Sequence, residues 1–335
     1  MTSLGEGAFR YRVEAGWGRL PPGWDLVEVA AVAVDTKDQI YVFNRGEHPM
    51  VVFDKHGNFL RSWGEGLFVR PHGLSFEEDG MLYCTDMGDH TVRRCTPEGE
   101  VKLVLGIPGS PSPFMSGKPF CRCTHSAMAS NGDLYVSDGY GNAAVHHFDP
   151  GGKLLRSWGE CGTEPGQFNV PHAIWCDEND WIHVVDRENH RIQVFDRHGR
   201  YETQWNNLHR PMALALPHKR CPYCFIAEAP PELGVNLEYP NLGPRVTITD
   251  RNGRKLARLG SSRPRHAPGE FVAPHDIAVD SEESIYVAEV SRTAWPRVFP
   301  QAPLPDRLIT LQKFTRLGPE LEAEFKPGPG VRASS

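Results

Sequence analysis

A six-bladed β-propeller is the fold the sequence predicts, on three observations: a strand–turn unit recurs along the chain, it occurs six times, and no linker divides the copies. The clearest copies are GLSFEEDGMLYCTDMGDHTVRRCTPEGEVKLVLG (73–106), SAMASNGDLYVSDGYGNAAVHHFDPGGKLLRSWG (126–159) and AIWCDENDWIHVVDRENHRIQVFDRHGRYETQW (173–205). Each reads as a strand, an Asp/Gly turn, a strand ending in Asp, a polar turn, a strand ending in Phe-Asp or its equivalent, a Gly turn and a fourth strand. The unit recurs at 32–64, at 213–260 with a long insertion, and at 277–317 with a disturbed end. Six four-stranded antiparallel sheets set radially close a ring and leave no long free edge. The last unit owns three good strands, so FRYRVEAGW (9–17) is expected to supply its fourth and latch the ring. One domain is expected over 1–335, with a frayed tail at 318–335 that is rich in Pro, Gly and Ser.

The totals agree with this class. A chain of 335 residues exceeds the usual prior of roughly 150 per domain, which propellers do. Hydrophobic content of 39% with 33 Gly and 29 Pro describes a turn-rich globular protein. No apolar run approaches the roughly 18 residues of a membrane span, and MTSLGEGAFRYRVEAGW lacks the basic and apolar regions of a secretory signal. A net charge of -6 argues against binding a phosphate backbone, so neither nucleic acid nor membrane is an expected partner. The eight cysteines are scattered, and Cys221-Pro-Tyr-Cys224 has no second pair at zinc-finger spacing. The expectation is a reduced, cytoplasmic protein, monomeric by default.

Aligning the units on Tyr41, Tyr83, Tyr135, His183 and Tyr286 and counting back 11 residues gives Ala30, His72, Thr124, His172 and His275; the fifth unit has Pro211-Met212 near that place. Histidine thus occupies units two, four and six, each time after proline, and the separations are 172 − 72 = 100 and 275 − 172 = 103. Alternate blades of a six-bladed ring are related by 120°, so three imidazoles at one depth of the innermost strand converge on the axis. Three histidines with an open fourth position form a catalytic zinc arrangement, and iron also accepts imidazole. A single strand histidine is ordinarily structural; packing does not account for three in one register.

A second register lies at the same mouth. The end of a blade's second strand lies beside the start of its first, because the two run antiparallel. Residues there are Asn44-Arg45, Asp86-Met87, Asp138-Gly139-Tyr140 and Asp186-Arg187. Arg45, Tyr140 and Arg187 are therefore expected to rim the histidine site, a set suited to anion recognition and acid–base chemistry.

These motifs resemble the peptidyl-α-hydroxyglycine α-amidating lyase family of NHL-repeat propellers over roughly residues 28–290. The likeness is most specific in SDGYGN (137–142), PGQFNVPHAIW (165–175) and VDRENHRIQVF (185–195), with VFNRGEH (42–48), PHGLS (71–75) and PHDIAVD (274–280) also matching. The resemblance implies that His72, His172 and His275 bind zinc. It implies a structural calcium site from the backbone carbonyls of Val32 and Leu74 and the side chain of Asp276, oxygens of the kind calcium takes. Val32 and Leu74 also share one repeat register, nine residues before Tyr41 and Tyr83. Arg45, Tyr140 and Arg187 match the family residues that hold a substrate carboxylate and handle protons.

The sequence also departs from that family. Ala273 stands where members carry methionine two residues before the last histidine. Gly141, His183 and Val194 stand where secretory members carry bridged cysteines, so those disulfides are absent. Insertions occur at 230–244 in blade five and 291–306 in blade six, near the pocket mouth. The resemblance implies a metal-dependent lyase that splits an N-acyl carbinolamide into an amide and a glyoxylate-type aldehyde, acting on a small-molecule or peptide substrate with a carboxylate. A metal-dependent hydrolase or hydratase using the same three-histidine site is the alternative, and a non-enzymatic repeat scaffold is the third.

Overall fold

In the computed structural model, residues 2–317 are described except 78, 217–220 and 262, and the tail at 318–335 lies outside them. Five sheets of four antiparallel strands and one of five stand around an axis, forming a six-bladed propeller. The innermost strands are Val29–Val34, Pro71–Phe76, His125–Met128, Pro171–Cys176, Pro211–Ala215 and Pro274–Val279. Each lies against its neighbours around the hub, and that of blade six meets that of blade one. Tyr11–Glu14 pairs with Leu311–Arg316, so the start of the chain completes the last blade; Ser3–Leu4 adds a short fifth strand.

The second and third strands of the blades are almost wholly buried, as in Ile40–Asn44 and Arg191–Phe195, and the outer strands are wet, as in Leu154–Trp158. Apolar side chains fill the seams between blades: Tyr41, Phe43 and Trp63 of blade one pack with Leu74, Leu82 and Cys84 of blade two. The tryptophan closing an outer strand needs a flat surface on the next blade, and a turn glycine supplies it. Gly99 adopts φ 95°, and a Cβ there would sit 2.6 Å from the Trp63 ring.

Each inner strand begins slightly upstream of the repeat boundary read from sequence, and in every blade but the third a bulge interrupts the alternation there. In blade two Pro71 pairs with Asp86 and Gly73 with Thr85, leaving His72 unpaired between them. His172 and His275 sit in equivalent bulges. A bulge re-aims a side chain, and here it turns each histidine toward the hub. The loop before the bulge is held by an acid at the end of the second strand. Asp86 accepts the N–H groups of Val69 and Arg70, Asp186 that of Asn169, and Glu289 those of Val272 and Ala273. No helix among the described residues is long and apolar enough to cross a membrane.

Candidate metal centre and its pocket

His72, His172 and His275 meet on the axis, with candidate ligand atoms all within 4.8 Å of one another. Their ring centroids are 4.7–4.9 Å apart, and each residue is at most 4% exposed. One hydrogen bond repeats three times. His72 Nδ1 lies 2.7 Å from the Thr124 carbonyl, His172 Nδ1 2.7 Å from that of Met212, and His275 Nδ1 2.7 Å from that of Ala30. These acceptors occupy the same register in blades three, five and one. A carbonyl only accepts, so Nδ1 carries the proton in all three rings and Nε2 presents its lone pair to the hub. Burial, reinforced by neighbouring imidazoles and by Arg45 and Arg187, holds these rings well below the usual histidine pKa, in the neutral state that ligates metals.

The Tyr140 hydroxyl stands 3.1 Å from His72 Nε2 and 2.9 Å from His172 Nε2, and Arg187 donates to it at 3.2 Å. One phenolic proton cannot satisfy two imidazole lone pairs. Three converging unprotonated Nε2 atoms are a donor set that a cation completes, and imidazole suits zinc or iron. Tyr140 reaches this position through Gly139, whose missing side chain lets the turn approach blade four. A Cβ at Gly139 would fall 2.2 Å from the Pro171 carbonyl oxygen. Val170 adopts φ 62° beside the same bulge, a strained state for a β-branched residue. It is pinned between the Asp186 carboxylate, which holds Asn169, and the Arg187 N–H, which donates to the Val170 carbonyl.

Arg45 lines the pocket above the histidines without bonding Tyr140. Its guanidinium donates to Glu28 at 2.8 Å and to the Pro71 carbonyl at 3.0 Å. Arg187 donates to Glu188 at 2.7 Å as well as to Tyr140. Below the histidines a small cavity is lined by Asp276 and His125 among others. Asp276 accepts the Val32 N–H at 3.1 Å and the Ile277 N–H at 2.9 Å, and among the described residues it makes no ion pair. Burial lifts its pKa to about 8, the state of a carboxylate without a counter-charge. A buried carboxylate without an ion pair among the described residues is a donor that a cation would suit. His125 is the feature the sequence reading missed. It is buried beside the Leu74 carbonyl, its Nδ1 has no partner among the described residues, and burial lowers its pKa to about 4. Its place one residue past the histidine register, at Thr124-His125, was the available signal.

Glu28, Glu188, Arg210 and Arg297 were missed too. Arg210 precedes Pro211 as Arg70 precedes Pro71, a repeat signal visible in sequence. The pairing partners carried none, because they arrive from other blades. The two insertions do line the mouth: blade five contributes Pro230 and Glu232, and a helix in blade six, Ser291–Val298, contributes Thr293, Ala294 and Arg297. All eight cysteines are free. A Cβ at Gly141 would stand 2.2 Å from Cys121 Sγ, so Cys121 faces a position with no sulfur to meet.

Among known proteins, human NHL repeat-containing protein 3 is 28% identical over 305 residues, covering 84% of this chain and 81% of its own length. The chain is a homologue of NHL-repeat proteins and amidating lyases. Peptidyl-alpha-hydroxyglycine alpha-amidating lyase 1 of Drosophila melanogaster is 30% identical over 254 residues, 70% of this chain and 45% of that protein. Peptidylglycine alpha-amidating monooxygenase of Rattus norvegicus is 33% identical over 222 residues, 56% of this chain and 22% of that protein. The homologue thus spans less than half the length of either enzyme-named relative. No protein-family profile matches it. A virginiamycin B lyase structure from Staphylococcus aureus superimposes with a TM-score of 0.56 at 13% identity, covering 92% of this chain and all of that one. A chain of the nidogen/laminin complex gives 0.57 at 13%, over 82% and 96%. At such identities these two speak for the propeller alone.

Proposed function

We propose that the protein is a metal-dependent lyase that breaks the C–N bond of an N-acyl carbinolamide of the peptidyl-α-hydroxyglycine type, giving an amide and a glyoxylate-type aldehyde. One observation carries this reading: the Tyr140 hydroxyl is held by Arg187 within hydrogen-bond reach of two imidazole Nε2 atoms of a three-histidine cluster. The names of the lyase and monooxygenase relatives support it.

His72, His172 and His275 would hold zinc or iron(II), and such a metal supplies Lewis-acid polarisation of the substrate hydroxyl. Tyr140 takes the hydroxyl proton, and the Arg187 guanidinium donates to its oxygen and holds it in place. The C–O bond becomes the aldehyde carbonyl as the C–N pair leaves with the amide nitrogen. That nitrogen is protonated from Tyr140, so the proton is returned within the cycle. Arg45 and Arg187 anchor the carboxylate. Calcium at Asp276 with the Val32 and Leu74 carbonyls would stiffen the strand bearing His275. The eight free cysteines support a reducing compartment such as the cytoplasm.

The test is glyoxylate release from N-benzoyl-α-hydroxyglycine by metal-loaded protein. Release supports the lyase. No release with three-histidine metal present transfers the site to a hydrolase or hydratase, and elemental analysis without a transition metal leaves a repeat scaffold.

A further inference from the structure

Five arginines line the pocket above the histidines: Arg45, Arg70, Arg187, Arg210 and Arg297. Three carboxylates answer them. Glu28 pairs with Arg45, Glu188 with Arg187 and Arg210, and Glu232 with Arg210 and Arg297. Five cations less three anions leave an excess of two, before any metal adds to it. A single substrate carboxylate accounts for one.

The excess is not spread evenly. Arg210 is saturated, donating to Glu188 and the Pro230 carbonyl and pairing with Glu232. Arg45 and Arg187 sit deep, next to Tyr140. Arg70 is exposed at the mouth and is the one guanidinium of the five without a side-chain partner among the described residues. Arg297 comes from the blade-six helix and bonds Glu232 through Nη1 at 3.0 Å, while its buried Nε has no acceptor among the described residues. Burial and then repulsion from Arg210 and Arg187 lower the Arg297 pKa, and burial with Arg70 nearby lowers that of Arg45. Arg70 and Arg297 line the same pocket, and an excess of cations lining one pocket favours an anion within it. The pocket offers about 250 Å³, just under the roughly 300–1,000 Å³ of small-molecule sites, which suits a compact ligand.

We propose that the substrate carries a second anionic group, a carboxylate or a phosphate, on its acyl side, and that Arg70 and Arg297 bind it at the pocket rim. The substrate is then a compact, doubly anionic N-acyl compound in place of an extended neutral peptide. Only the term acyl side rests on the lyase reading; the subsite itself rests on the charge imbalance.

Calorimetric titration of the metal-loaded protein tests this with three unreactive glycine amides: N-acetylglycine, N-succinylglycine and N-(phosphonoacetyl)glycine. A charge-assisted contact predicts at least about tenfold tighter binding for one or both dianions than for N-acetylglycine. The preference between the two dianions tells carboxylate from phosphate. It should shrink between about 0.05 and 0.5 M salt, since the rim is exposed. R70A/R297A should lose the dianion preference and retain its metal. Equal affinities for all three ligands in the wild-type protein overturn the proposal, whether or not the double variant folds. Because no turnover is needed, dianion preference without glyoxylate release sinks the lyase and keeps the subsite; glyoxylate release with no preference does the reverse.

Discussion

His172 illustrates how one side chain is specified several times over. The bulge at Pro171 aims it, the Met212 carbonyl sets its tautomer, and Tyr140 meets its Nε2. Replacing His172 by Ala is therefore expected to abolish both metal content and turnover while the circular dichroism of the sheets persists, since the seams between blades do not depend on that ring. Elemental analysis and spectroscopy on one sample check it. Gly139 is the subtler residue. An added methyl would meet the Pro171 carbonyl oxygen, a backbone atom that cannot swing aside. Gly139→Ala should cost about 1–3 kcal/mol of stability and, by shifting Tyr140, lower kcat on the order of 10²-fold for a misplacement near 1 Å. Melting temperature and steady-state kinetics read the two effects separately. The histidines were legible because spacing alone reports them. His125 was not, because its meaning depends on what lines the cavity beneath the histidines.

At the scale of elements, the two insertions act together. The blade-six helix is tied through Arg297 to Glu232 of blade five, and Glu232 is tied through Arg210 to Glu188 of blade four. Glu188 continues to Arg187, and Arg187 to Tyr140, so a chain of ion pairs and hydrogen bonds runs from rim to reacting hydroxyl. Burial opposes the charge on Glu188, but Arg210 and Arg187 prevail and bring its pKa to about 2 from a model-peptide value of 4.5. A depressed acid contributes stability above its unfolded pKa and loses it as pH falls through the folded one. Glu188→Gln should thus lower the denaturant midpoint fully at neutral pH, with the gap from wild type narrowing below pH 4.5 toward 2. A gap constant over that window would remove the ion pairs from the account. Sequence reading located both insertions at the mouth but not their contacts, since ion pairs between blades leave no local pattern.

Across the whole molecule, stability comes from closure. Tyr11 is fully buried and its strand covers the edge of Leu311–Arg316. A chain lacking residues 1–14 exposes that edge, and its melting temperature should fall further than chelation of bound metal makes the intact protein fall. A scan of both proteins with and without chelator decides it; equal shifts would mean that the metal, and not the latch, holds the ring. By itself the sequence determined the number of blades, the depth of the histidines and the residues flanking them, because a repeat writes one geometric position at a fixed count from each turn. Only the tertiary structure decided which Nε2 atoms meet, which carbonyl sets each tautomer and which pocket arginine has no side-chain partner among the described residues. Those facts depend on distances between blades 40 to 245 residues apart in the chain, and a one-dimensional pattern holds no record of distance.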